Sequence, residues 1–195
     1  MIAWINVILL VITTALMLWL YARSVSPVQR ERAGEANAWE RCKRDRMIAG
    51  ALMGVMMVNF IVYRFYPLDF LPVTFAWPYW ISLLLAVIVG IPCGWLLWRG
   101  MKDAGEEAMA PKAEHTMYSG IYDYIRHPQA VGEGLSWVPI ALVLHAPVLV
   151  LYAVVVCLPV WYLMCLAEEK GLLLRYGDSF DEYRARTGAF IPRRD

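Results

Sequence analysis

The sequence predicts an all-α polytopic membrane protein. It has five transmembrane helices, the last two folded back on each other as a helical hairpin, and a short cytoplasmic helix after them. Three observations predict this. Sixty per cent of the 195 residues are apolar and 18% are charged, where soluble domains run nearer half and a quarter. The apolar residues gather into runs close to the roughly 20 residues that cross about 30 Å of hydrocarbon. Nine Trp and eleven Tyr are residues that collect where protein meets the headgroup layer. The same composition excludes a disordered chain, a collagen and a disulfide scaffold, and a net charge of +1 gives no reason to expect nucleic acid as a partner.

The spans follow in order along one membrane domain, residues 1–195. The first, 2–22, lacks the basic leader and small-residue cleavage site of a removable signal peptide. The second covers 47–65. The third covers 77–98, with Pro92 inside it as an expected kink. Residues 99–127 are polar. From Leu135 to Ala167 the apolar run is then 33 residues long, about 50 Å as helix and too long for one crossing. His145-Ala146-Pro147 breaks it. The result is a short span at 128–144 and a long one at 147–176 that projects beyond the bilayer.

Five crossings place the termini on opposite sides, and the basic residues decide which. Arg23, Arg30, Arg32, Arg41, Lys43, Arg44 and Arg46 lie in the first connection, Arg99, Lys102, Lys112 and Arg126 in the third, and Arg175, Arg184, Arg186, Arg193 and Arg194 in the tail. The second connection has only Arg64, and the fourth has none. A Lys/Arg excess marks the cytoplasmic side, so the reading is a multi-pass cell-membrane protein with its N-terminus outside and its C-terminus cytoplasmic. Trp77, Tyr79 and Trp80 fall at the outer interface, Trp95 and Trp98 at the inner one. Asn6 and Asn59 read as hydrogen-bonding partners between helices.

In the tail, Ser179 and Glu182 have the spacing of a capping box, with Gly177 and Gly188 as stops on either side. A short helix over 179–187 is expected. Cys42, Cys93, Cys157 and Cys165 show no metal spacing and read as small apolar residues. His115, His127 and His145 are too dispersed for a metal site, and none is expected.

Two polar segments are richer in chemistry than an anchor requires. One runs from Gly120 through Tyr122, Arg126, His127 and Pro128 to Gly132 and Glu133. Pro128 suits the first position of a helix, whose free N–H groups together with the Arg126 fork favour a carboxylate or phosphate. Gly132 permits close approach of a ligand or a neighbouring helix. Glu133 puts a carboxylate at the start of a span, a costly placement that calls for a partner or a task. The other segment is Glu168-Glu169-Lys170-Gly171-Leu172, where the last span leaves the membrane. Its two carboxylates point about 100° apart on a helix and are expected to face different groups.

Gly120-Ile121-Tyr122, Arg126-His127-Pro128 and Gly132, followed by Glu168-Glu169 and Leu172 and later by Tyr176-Gly177, Tyr183 and Ile191-Pro192, resemble the paired elements of integral-membrane methyltransferases. This is the isoprenylcysteine carboxyl methyltransferase and phospholipid methyltransferase group. The resemblance covers about Thr116 to Arg193 and departs at Ala130, where the family pattern usually has Tyr. It implies S-adenosylmethionine as methyl donor, bound by residues of about 115–195, and a lipid-like or small hydrophobic acceptor taken from the bilayer.

The implied roles are as follows. Arg126, His127 and the helix start at Pro128 hold the amino-acid end of the donor, and Gly120 and Tyr122 shape the loop around it. Glu168, with Glu169, meets the ribose hydroxyls or the ammonium, while Leu172 and Tyr183 cover the adenosine. Arg126 and Glu133 are the candidate catalytic residues, with Glu133 placed to orient or deprotonate an acceptor. Two other readings stay open: a membrane reductase of sterols or enoyl lipids that binds NADPH through Arg184, Arg186, Arg193 and Arg194, and a non-catalytic membrane subunit that kept the pocket. The acceptor itself, a phospholipid amine, a prenylcysteine carboxylate or a small thiol, stays open, as does the oligomeric state.

Overall fold

The computed structural model describes residues 1–108 and 119–193. Lys112, His115, the start of the resemblance at Thr116, and Arg194 lie outside the described residues. All the regular elements among them are helical. They are α1 (Ile2–Ser24), α2 (Pro27–Arg32), α3 (Ala38–Phe65), α4 (Tyr79–Ala104), α5 (Pro128–Val143), α6 (Pro147–Tyr176) and α7 (Asp178–Arg186), with 3₁₀ turns at Gly105–Ala108 and Gly120–Asp123.

Four of these helices, α1, α3, α4 and α6, are long and apolar enough to cross a membrane. The 16 residues of α5 make about 24 Å of helix, less than the hydrocarbon thickness, so length alone does not make it a fifth span. The break between α5 and α6 falls at His145-Ala146-Pro147 as expected. His145 adopts φ 55°, and Pro147 starts the next helix. Proline does not interrupt α4, which runs on through Pro92. α6 carries one π turn, Ala153–Cys157. Pro159 explains it: without an N–H it cannot bond the carbonyl four residues earlier, and the ladder shifts.

Two elements begin where hydropathy did not place them. α3 starts at Ala38 rather than at 47, because Ala38, Cys42, Asp45 and Ala49 form one buried stripe that carries the helix through a charged segment. α2, with Pro27 in its first turn, was not foreseen. The tail helix starts at Asp178, one residue before the expected Ser179, and the capping box does not form. Gly177, at φ 57°, ends α6 and begins α7 at once. Ser179 therefore sits inside the first turn, and its hydroxyl donates back to the Tyr176 carbonyl at 2.7 Å.

The helices pack as two pairs, α1 with α3 and α4 with α5, and α6 lies against α1, α2 and α5. Asn6 Nδ2 donates to the Asn59 carbonyl at 3.0 Å across the first pair, satisfying a polar group that lipid would leave bare. Phe60 of α3 meets Trp137 of α5 with ring centroids 5.0 Å apart, and Tyr152 of α6 donates to Thr14 of α1 at 2.7 Å. The α4–α5 seam is closed by glycines. A Cβ at Gly132 would lie 2.5 Å from Leu97 N and 2.6 Å from Cys93 O, and one at Gly100 would lie 2.7 Å from Gln129 Cγ. Gly171 does the same for α6, pressing its polar end onto the Val25 carbonyl. These approaches bring the start of α5, the end of α6 and the end of α1 together at one end of the bundle.

Candidate functional site

A polar cleft opens at that end. It is lined by Tyr21 of α1, Arg46 of α3, Ala108, Tyr122, then Arg126, His127, Gln129 and Ala130 around the start of α5, Glu168 and Leu172 of α6, and Phe180 and Tyr183 of α7. Arg30 holds the wall made by α1 and α3. Half-buried in the last turn of α2, it bonds Glu35 at 2.6 Å and Asp45 at 2.9 Å, and Arg23 reaches the same Asp45 oxygen at 3.2 Å. The Arg30 hydrogen bond holds the Glu35 carboxyl down to about 2. Arg46 then reaches the Ser24 carbonyl at 3.3 Å and the Ala108 carbonyl at 3.2 Å.

The opposite wall is built on His127. Its Nε2 lies 3.0 Å from Glu169 Oε1 and its Nδ1 lies 3.4 Å from Glu168 Oε2. This corrects the expectation that the two carboxylates face different groups. An imidazolium presents donors on two opposite edges, so side chains about 100° apart on one helix can flank a single ring. Burial works against the charge on His127, yet the Cys165 sulfur and the two carboxylates outweigh it and push the ring up to about 11.

Arg126 donates to Glu169 Oε1 at 2.8 Å, to the Arg184 carbonyl at 3.3 Å and to the Thr187 carbonyl. It braces the tail against α6 while lining the cleft. The backbone does likewise. The amides of Arg126 and His127 donate to the carbonyls of Gly188 and Ala189 at 2.9 and 3.1 Å, forming a short parallel bridge. Phe190 then lies over the His127 ring, centroids 5.7 Å apart. Tyr183 donates to the Tyr122 carbonyl at 2.7 Å, and Tyr122 to the Gly100 carbonyl at 3.3 Å. Burial raises the pKa of Tyr122 and pushes Tyr183 up to about 12. Both hydroxyls stay neutral at physiological pH.

Of the residues singled out from sequence, Tyr122, Arg126, His127, Glu168, Leu172 and Tyr183 come together in the cleft. The others do not line it. Gly120, at φ 76°, turns the chain beside Asp103, whose carboxylate accepts the Ile121 amide at 2.7 Å. Pro128 and Gly132 pack on α4, and Glu169 ties His127 to Arg126. Glu133 accepts from Trp161 Nε1 at 3.4 Å. Tyr21, Arg46, Gln129 and Phe180 were not anticipated.

An apolar groove lies alongside, lined by Ala130, Val131, Leu135, Leu158, Trp161, Tyr162, Cys165, Phe190 and Ile191. Ala130 borders both the groove and the cleft. A hydrocarbon chain in the groove would present its polar end to the cleft across that one small side chain.

The fold defines a multi-pass helical membrane protein with a polar cleft at one end of the bundle, beside an apolar groove. The phospholipid methyltransferase family model matches residues 79–179, which is more than half of the chain and contains Arg126, His127 and both carboxylates. The chain belongs to the phospholipid methyltransferase family. A phosphatidylethanolamine N-methyltransferase of Laccaria bicolor (strain S238N-H82 / ATCC MYA-4686) is 29% identical over 100 residues, 51% of this chain and 10% of that protein. The chain thus matches about a tenth of the length of that relative.

Proposed function

We propose that the protein transfers a methyl group from S-adenosylmethionine to the amine headgroup of a membrane lipid, at the cytoplasmic end of its bundle. The observation that carries this reading is the meeting of a polar, charge-lined cleft and an apolar groove at Ala130. Family membership and the relative's amine-methylating name support it. α5 serves as a fifth, short crossing paired with α6 as a hairpin. The basic residues of the first and third connections and of the tail support an outside N-terminus and a cytoplasmic C-terminus.

The cleft fits such a donor. Gln129 Nε2 is buried and, among the described residues, has no hydrogen-bond partner. Arg46, Arg126 and protonated His127 suit a carboxylate, Glu168 suits hydroxyls or an ammonium, and Tyr122, Phe180 and Tyr183 supply flat walls. When bound, the donor supplies an already activated sulfonium methyl, so positioning and exclusion of water provide most of the acceleration. Phe190 and Ile191 of the tail cover the junction on the groove side. Glu133 sits beside Trp161 of the groove wall. It takes the proton that an ammonium acceptor must lose before its lone pair can attack.

The test is calorimetric binding of S-adenosylmethionine to protein in detergent, followed by transfer of labelled methyl to phosphatidylethanolamine vesicles. Wild type binds, and His127→Ala and Glu168→Ala bind more weakly. Glu133→Gln binds normally and turns over about 10²–10⁴-fold more slowly. A folded wild type that does not bind the donor would overturn the reading.

A further inference from the structure

Among the described residues, Gln129 lines the cleft with a buried side-chain nitrogen that has no hydrogen-bond partner. Its Nε2 is buried without a partner, a placement that native proteins avoid unless a ligand or water completes it. The side chain is held in place. A Cβ at Gly100 would fall 2.7 Å from Gln129 Cγ and 3.0 Å from its backbone N, so the absent side chain at 100 is what lets the glutamine stem pass. The Tyr122 hydroxyl bonds the Gly100 carbonyl at 3.3 Å, which places the Tyr122 ring beside the same spot. Leu172, Phe180 and Tyr183 complete the apolar and aromatic lining.

The charged parts of a nucleoside sulfonium are already provided for by Arg46, Arg126, His127 and Glu168. What remains of such a molecule is its base, a flat and uncharged ring with a donor and an acceptor on adjacent atoms. A carboxamide offers an acceptor and a donor side by side, the complement of an adenine edge. At the N6/N7 edge a 6-oxopurine presents two acceptors, so the amide, with its donor beside its acceptor, is left with one mismatched pair in either orientation.

We infer that Gln129 reads the nucleobase of the methyl donor and selects a 6-aminopurine over a 6-oxopurine. The inference rests on the methyl-donor reading above, and the experiment separates the two. Binding of S-adenosylhomocysteine and of S-inosylhomocysteine is measured by calorimetry on the full chain in detergent, for wild type, Gln129→Met and Gln129→Glu, with unfolding midpoints taken alongside. Wild type prefers the adenosyl compound by about 10- to 100-fold, the discrimination expected of one bidentate pair. Gln129→Met, similar in length and without polar hydrogens, drops to within about threefold by losing adenosyl affinity. Gln129→Glu, which accepts but cannot donate, also loses adenosyl affinity because its carboxylate meets N7 without a proton; it keeps the shape of glutamine and so covers the case of a misfolded Met variant. A wild type that binds both compounds equally, a Met variant that discriminates as wild type does, or a Glu variant with wild-type adenosyl affinity overturns the role of Gln129 and leaves the donor reading intact. A wild type that binds neither overturns both.

Discussion

Replacing Gly132 with alanine tests whether the α4–α5 seam sets the geometry of the cleft. The added Cβ would lie 2.5 Å from Leu97 N and 2.6 Å from Cys93 O, where ordinary contact begins at 3.4 Å. The shortfall is about 0.9 Å, and it is against backbone, which cannot rotate away. Alanine in a helix interior gains up to about 1 kcal/mol over glycine, whereas overpacking costs about 1–3 kcal/mol. With rigid backbone on the far side the clash wins, and the net loss is about 2 kcal/mol. Gly94 of α4 is the control, because a Cβ there meets nothing within 4 Å. Gly94→Ala keeps the propensity gain without the clash, so the two variants differ by about 3 kcal/mol.

Thermal unfolding in detergent reads that difference. Donor affinity reads the second consequence. Moving α5 carries His127, Gln129 and Ala130 with it, and a displacement near 1 Å in a binding geometry costs up to about 10²-fold. A Gly132→Ala protein as stable as Gly94→Ala and equal to wild type in binding would refute the reasoning.

Two further outcomes are expected. The His127 ring stays protonated up to about 11 in the folded protein, whereas an unfolded histidine releases its proton near 6.5. The stabilisation is therefore complete below about pH 6.5 and is lost as the pH rises toward 11, by at most about 1.4 kcal/mol per pH unit. Unfolding midpoints between pH 7 and 9 should fall more steeply for wild type than for His127→Gln, and parallel curves would refute it. Ala130→Leu narrows the junction of cleft and groove and should raise KM for a long-chain acceptor by about tenfold, in the range that a methylene or two commands in an apolar pocket. Donor Kd should change less, and equal shifts in both would place Ala130 away from the acceptor path.

Much of the framework was legible because it is local. His145-Ala146-Pro147 announces a break through proline chemistry, and the structure breaks there. The segment carrying Tyr122, Arg126 and His127 and the segment carrying Glu168 and Leu172 converge as their resemblance implied, since both lie within one run of the chain. The failures are equally specific. Arg46 read as one more cytoplasmic charge, because only the packing of α3 against α1 reveals that it borders the cleft. Tyr21 was hidden the same way, about a hundred residues from the motifs it joins. The angular argument separating Glu168 from Glu169 was sound for a partner with one binding edge and failed for a ring with two. The capping box matched in spacing, but Gly177 in a left-handed conformation had already supplied the helix start, leaving Ser179 nothing to cap. Gln129 stood between the helix-starting Pro128 and the discordant Ala130, and no local signal marks a side chain whose significance is the absence of a partner.

The bridge from Arg126 and His127 to Gly188 and Ala189 also bears on how the protein is made. The cleft draws on α1, which precedes the other described helices, yet its backbone is closed by residues synthesised more than sixty positions after His127. During insertion every helix can be in place while the cleft remains open on one side. A nascent chain stalled or cut after Arg186 would be fully embedded and still lack the two carbonyls that seat the amides beside α5. Closure of the cleft therefore follows synthesis of this segment rather than insertion of the helices.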